Sequence, residues 1–293
     1  MDIISVRDLD KEKILDILDL ASKLEGYRGN DFEEKILAAL FFEPSTRTML
    51  SFQSAMARLG GKTLSVSDGR NTSQSKGESF SDTIKVVERY ADAIVLRHPL
   101  EGTARLASEV SKVPIINGGD GANQHPTQTL LDLYTIKREK KRLDLNVALI
   151  GDLKHARVMK SLALALSLFD ARLTLISPPQ LRLDSEIKRE IEKNGTEIEE
   201  RDSIDLSGID VAYLCRIQRE RFPDDESYYK VSNSYRLLSS HIQEAPHDMI
   251  LLHPLPRVGE MDTSIDEMDA AKYFDQAEYG VTLRMALLKK VMA

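Results

Sequence analysis

Three hydroxyls and one guanidinium fall within five consecutive residues, Pro44-Ser45-Thr46-Arg47-Thr48. They follow an apolar, strand-like run (35–42) and open a segment of helical period that extends to about residue 59. A helix start offers unpaired backbone N–H groups and the positive end of the dipole, so it attracts anions. Side-chain donors at the same point would hold a phosphate or similar oxyanion without a metal. Ser and Thr are also ordinary caps and Pro favours first turns, so these five residues alone leave an anion site and plain capping at even odds.

Further groups suited to anion chemistry recur along the chain. Arg97-His98-Pro99 and Asn123-Gln124-His125-Pro126 each follow a predicted strand. Three His-Pro dipeptides (98, 125 and 253) lack close zinc-type ligand spacing, so no metal is expected. The Ile150-Gly151-Asp152 turn lacks a G-x-G-x-x-G run, which leaves a dinucleotide site there weakly supported.

The elements that must position these groups alternate. A helix is read over 10–24, then strand 35–42, helix 46–59, strand 63–66, helix 79–90, strand 93–97, helix 103–110 and strand 114–117. A Gly-Gly-Asp-Gly loop at 118–121 leads to a long helix, about 127–141. The rhythm restarts with strand 145–151, helix 156–169, strand 172–176, helix 184–193, a short strand near 196–199, and strands 210–214 and 249–252. A last helix covers about 278–292. This alternation predicts the α/β class: two domains, each a mostly parallel sheet flanked by helices. The boundary is placed near residue 127, with 1–126 plus about 278–293 in one domain and 127–277 in the other. In such sheets ligands bind beyond the carboxyl ends of strands, where Thr46, Arg97 and His125 all fall.

Composition narrows the class. The chain has 293 residues, 42% hydrophobic and 30% charged, as globular proteins do. Its one cysteine, Cys215, allows no internal disulfide and fits a reducing compartment. There is no apolar run long enough to span a membrane, and the first residues lack a signal-peptide core. The expected location is cytoplasmic. A net charge of −7 disfavours nucleic acid, and the basic run Lys137–Arg142 reads as a solvated helix end.

Taken in order, Phe42-Glu-Pro-Ser-Thr-Arg-Thr48, Arg97-His-Pro99, His125-Pro-Thr-Gln-Thr-Leu-Leu-Asp-Leu133, Gly151-Asp-Leu-Lys154, Arg216-Ile-Gln-Arg-Glu-Arg-Phe222 and His253-Pro-Leu-Pro-Arg257 resemble the catalytic chains of the aspartate carbamoyltransferase family. The match runs over nearly the whole chain. It implies carbamoyl phosphate and L-aspartate as substrates, N-carbamoyl-L-aspartate and phosphate as products, and a step of pyrimidine synthesis. It further implies a carbamoyl-phosphate domain, an aspartate domain and a catalytic homotrimer, with no cofactor. The presence of regulatory chains stays open.

By the resemblance, Ser45, Thr46, Arg47 and Thr48 hold the phosphate. Arg97 and His125, with Thr48, reach the carbamoyl oxygen, and Gln128 meets the carbamoyl amine. The protonation state of His125 is left open. Arg157, Arg216 and Gln218 are the candidates for the aspartate carboxylates, for which guanidinium forks are well shaped. Leu255 and Pro256 would turn backbone carbonyls toward the attacking amine. The resemblance implies a cis bond before Pro256, although X-Pro statistics favour trans. The polar stretch 67–78 would enter a neighbouring chain's site, giving Ser73 (or Ser75) and Lys76, the latter reaching both substrates.

Some positions depart from the family pattern. Ala156 stands for a glycine, Lys160 for a histidine and Cys215 for a frequent threonine. Arg219 and Arg221 read as solvated loop charges. An ornithine-type relative would place cysteines where this chain has Thr127 and Pro254, and a cationic acceptor would make little use of Arg157 and Arg216. A non-catalytic anion-binding protein is the rival from another class, and the joint presence of Arg47, Arg97, His125 and Gln128 argues against it.

Overall fold

A computed structural model describes residues 1–67, 77–219, 222, 224–232 and 235–292. The chain forms two compact units, Met1–Tyr134 with Ala277–Ala293 and Thr135–Gln276.

The first unit contains α1 (Lys11–Lys23), β1 (Ile36–Phe41), α2 (Thr46–Arg58), β2 (Lys62–Val66), α3 (Phe80–Val87), β3 (Ala93–His98), α4 (Thr103–Val110), β4 (Ile115–Asp120) and the first part of α5 (Pro126–Lys140). Asp10 starts α1 by accepting the Lys13 N–H at 2.8 Å, and Ile14, Ile17, Leu18 and Ala21 form its buried stripe. The four strands pair in parallel in the order β2-β1-β3-β4. β1 and β3 lie inside the sheet, and their near-continuous apolar runs suit burial on both faces. β2 is an edge strand and is correspondingly polar and exposed. Ala38, Leu40, Ile94, Leu96 and Ile115 build one face of the core with Ile84 and Ala104.

The second unit holds the rest of α5, then β5 (Asn146–Gly151), α6 (Arg157–Leu166), β6 (Arg172–Ile176), α7 (Ser185–Lys193), β7 (Ile198–Arg201), β8 (Val211–Cys215), α8 (Asp225–Ser232), α9 (Ser239–Glu244), β9 (Ile250–Leu252) and the start of α10 (Tyr273–Met292). Its strands are also parallel, in the order β7-β6-β5-β8-β9. The chain passes from unit to unit inside α5 and again inside α10.

Each sheet has one point where the winding reverses. In the first, β1 leads outward to β2 and β3 leads the other way to β4, so the reversal lies between β1 and β3. In the second it lies between β5 and β8. A crevice opens beyond the strand ends at such a point, and it is the usual ligand position in this architecture.

Two sequence expectations need correction. The Gly118–Gly121 run is not all loop: β4 continues through Gly118 and Gly119 to Asp120, which pairs with His98 of β3 after a one-residue register shift. Glycines punctuate sequence, but Gly118 is buried against β3, where a Cβ would sit 3.3 Å from the Leu96 carbonyl oxygen. The last helix starts at Tyr273, not near 278, because Tyr273 is buried in the second unit's core and Gln276 accepts the His253 N–H at 3.1 Å. The short helices α8 and α9 fall in a segment with too little apolar period to read.

Candidate active site

In the first unit Arg47 and Arg97 lie at the carboxyl ends of β1 and β3, on either side of the reversal, and His125 and Gln128 follow the neighbouring β4. Ser45 is the N-cap of α2 by position, yet its side chain makes no capping hydrogen bond. Plain capping therefore does not account for this hydroxyl. Thr48 is buried, whereas Thr46 and Arg47 are exposed in the same first turn. Among the described residues Arg47 has no hydrogen-bond or ion-pair partner, and crowding by its surroundings lowers its guanidinium pKa. A cation without a counter-ion beside a helix N-terminus is a place for an anion.

Arg97 ends β3. Its Nε lies 3.1 Å from Glu43 Oε2 and an Nη donates to the Gly118 carbonyl at 3.1 Å, so the guanidinium is held from two sides. His98, the next residue, turns away from this role. Its Nδ1 accepts the Leu100 N–H at 3.0 Å, and its ring meets Phe42 and Phe80 edge-on. Burial lowers the His98 pKa, opposed by Glu43, so neutral imidazole is favoured.

His125 precedes α5 and is 5% exposed. Its position depends on Asp120, a buried carboxylate at the end of β4. Asp120 accepts from Asn117 Nδ2 (2.9 Å), Asn123 Nδ2 (3.0 Å), and the Gly102 (2.8 Å) and Gln124 (3.2 Å) N–H groups. These bonds tie β4, the start of α4 and the 121–125 turn together. Thr127 Oγ1 lies 3.4 Å from His125 Nδ1. One turn further, Gln128 Nε2 donates to the fully buried Asp132 at 2.8 Å.

In the second unit the candidates mark the β5/β8 reversal. Gly151 ends β5 with φ +114° beside Cys215 of β8, and a Cβ there would sit 2.1 Å from the Cys215 carbonyl oxygen. Only glycine allows the two strand ends to approach in this way. Asp152, fully buried, then accepts the His155 N–H at 2.9 Å and shapes the turn into α6. Arg157 is the first residue of α6; Arg216 and Gln218 follow β8, both half-buried. Ala156 takes the N-cap position at φ −78°, so glycine is not required there, and Lys160 pairs with Asp184 at 2.9 Å. Cys215 is buried, as a packing role demands. Arg219 forks onto Asp225 at the surface, with both N–O distances 2.8 Å, which agrees with a solvated loop charge.

Leu255 and Pro256 lie in the loop after β9. Their peptide bond is cis, and Leu255 adopts φ +54°. The loop is braced by a buried pair: His253 Nε2 to Glu260 Oε1 at 2.8 Å. Glu260 also accepts the Val258 N–H at 2.7 Å, and His253 Nδ1 accepts the Leu255 N–H at 2.8 Å. Ser73, Ser75, Lys76 and Arg221 lie outside the described residues.

The supports to which the sequence motifs assign no role are Glu43, Asp120, Asp132 and Glu260. Asp132 had a usable signal, since it falls four residues after Gln128 on a predicted helix. The others are distant in sequence from the groups they hold, or sit in turns without period.

Residues 1–138 match the family model for the carbamoyl-phosphate-binding domain of aspartate/ornithine carbamoyltransferases, and residues 143–291 match the model for their aspartate/ornithine-binding domain. The chain is 50% identical to the aspartate carbamoyltransferase catalytic subunit of Methanothrix thermoacetophila, covering 99% of this chain and 97% of that one. A structure of the catalytic subunit of M. jannaschii aspartate transcarbamoylase superposes with a TM-score of 0.93 at 49% identity, covering 99% and 97% of the two chains. The Trypanosoma cruzi aspartate transcarbamoylase in complex with carbamoyl phosphate and aspartate gives 0.91 at 33% identity, covering 100% and 95%. The chain belongs to the aspartate/ornithine carbamoyltransferase family, among its aspartate carbamoyltransferase catalytic subunits.

Proposed function

We propose that this chain transfers the carbamoyl group of carbamoyl phosphate to the amine of L-aspartate, giving N-carbamoyl-L-aspartate and phosphate for pyrimidine synthesis. One observation carries the reading: each parallel sheet presents anion-binding side chains at its own winding reversal, Arg47 and Arg97 in one, Arg157 and Arg216 in the other. The relatives' substrates, a phosphate dianion and a dicarboxylate, divide in the same way.

In this mechanism Ser45, Thr46, Arg47 and Thr48 bind the phosphate, with Ser73 and Lys76 supplied by a neighbouring copy. Arg97 and His125, with Thr48, stabilise the carbamoyl oxygen as negative charge grows on it. Gln128 meets the carbamoyl amine. Arg157, Arg216 and Gln218 hold the aspartate carboxylates, with Lys76 also in reach, while the Leu255 and Pro256 carbonyls orient the amine. The amine lone pair forms the C–N bond, the C–O bond to phosphate breaks, and the departing phosphate takes the amine proton. Positioning and electrostatics supply the catalysis, with no protein nucleophile. The working form is a cytoplasmic homotrimer with sites shared between chains, to which regulatory chains would attach.

The assay is direct. Purified protein is given carbamoyl phosphate with aspartate or with ornithine, and phosphate release is followed. Aspartate-dependent turnover is expected; turnover with ornithine alone would sink the reading. Tight binding of a phosphonate bisubstrate mimic without turnover would favour a non-catalytic anion binder.

A further inference from the structure

The Gln128 amide is not free to face either way. Its Nε2 donates to Asp132 Oδ1 at 2.8 Å, one helical turn along α5, and the two side chains are buried (9% and 0% exposed). An ionised carboxylate only accepts, so the amide must give its NH2 to Asp132 and direct Oε1 elsewhere. A glutamine without such a partner has two amide orientations of similar shape. The buried Arg284 of α10 interacts with Asp132 electrostatically. Arg284 is itself fixed, donating to the Gly280 carbonyl at 3.0 Å and lying 5.2 Å from the Phe52 ring centre of α2.

We propose that Asp132 is a specificity-determining positioning residue, holding Gln128 Oε1 as a fixed acceptor so that the site selects an acyl phosphate bearing an amine. The proposal rests on the reading above that Gln128 meets the carbamoyl group. Carbamoyl phosphate offers N–H donors to that oxygen. Acetyl phosphate has the same shape and charge but places a methyl group there, leaving a buried acceptor unpaired. Sites built around one hydrogen bond discriminate strongly for this reason. Asp132 does not touch substrate; it decides which end of the amide does.

The test compares the KM of carbamoyl phosphate with the competitive inhibition constants of acetyl phosphate and inorganic phosphate. In Asp132→Asn the new amide can donate to Gln128 Oε1, so Gln128 can turn its NH2 to the site. The preference for carbamoyl over acetyl phosphate is expected to fall about 10- to 100-fold, while inorganic phosphate binds within about twofold of wild type. Equal weakening of all three ligands, or an unchanged preference, would overturn the proposal. Gln128→Ala is measured alongside. If it abolishes the preference and Asp132→Asn does not, the proposal fails and the reading of Gln128 stands. If Gln128→Ala leaves the preference intact, that reading falls first and takes the proposal with it. Should Asp132→Asn not fold beside Arg284, the double variant Asp132→Asn/Arg284→Met removes both charges and reports the same ratio.

Discussion

His253 joins the two ends of the loop that carries Leu255 and Pro256: Nδ1 accepts the Leu255 N–H at 2.8 Å and Nε2 contacts Glu260 Oε1 at 2.8 Å. Because Nδ1 accepts, the neutral ring carries its proton on Nε2 and donates it to the carboxylate. Glu260 closes the arrangement by accepting the Val258 N–H at 2.7 Å. Four residues between His253 and Val258 are thus fixed through one imidazole and one carboxylate.

Cutting this brace at either bond should loosen the carbonyls proposed to orient the amine. His253→Asn places an acceptor near the Leu255 N–H but does not reach Glu260; His253→Gln does the reverse. Each is expected to raise the KM for aspartate about 10-fold, with carbamoyl phosphate affinity unchanged. Steady-state kinetics in both substrates checks this, and an effect confined to carbamoyl phosphate would count against it.

The same pair gives a pH signature. Burial alone would raise the Glu260 pKa, but hydrogen bonds from His253 and Val258 outweigh it, so the folded value lies below the ordinary 4.5. A depressed carboxylate pKa stabilises the fold above the unfolded value, and the benefit is lost as pH falls through the folded value. Urea unfolding should therefore show wild type more stable than Glu260→Gln by about 2 kcal/mol at pH 7. The gap should narrow below about pH 4.5. A gap independent of pH would contradict this account.

Arg47→Ala should lower kcat/KM for carbamoyl phosphate about 10²- to 10³-fold, the effect of removing one charge-stabilising donor. The fold should hold within about 0.5 kcal/mol, because the side chain is exposed and pairs with nothing among the described residues. Arg47→Lys should recover only part of the activity, since an ammonium cannot fork onto phosphate oxygens. Full activity in Arg47→Ala would remove the phosphate role of the α2 start.

A shared site predicts complementation. Arg47→Ala and Lys76→Ala chains, each inactive alone, are mixed and allowed to exchange subunits. Random reassortment in a closed trimer leaves one intact site in each mixed assembly, so about a quarter of wild-type activity should return. No recovery after verified exchange would show that each chain works by itself.

Much of this protein was legible before folding was considered. The apolar runs of β1, β3, β5 and β8 and the periodic helices between them specify a parallel α/β order, because strands buried on both faces cannot be polar. Arg47, Arg97 and His125 stood out as candidates too, since groups at strand ends and helix starts fall next to recognisable punctuation, whereas Arg157 and Arg216 were named through the family resemblance. Strand order was not readable. Only the three-dimensional pairing puts β1 beside β3 and β5 beside β8, so that the strand ends leading to Arg47 and Arg97, and to Arg157 and Arg216, lie side by side within each unit. The supports were equally hidden. Glu43 on Arg97, Asp120 under His125 and Glu260 on His253 are bonds across turns or between elements, and no period announces them. Sequence fixed which groups could carry the chemistry, because side-chain identity is local. Tertiary structure decided which way they face, because burial leaves each polar atom only the partners that packing brings within reach.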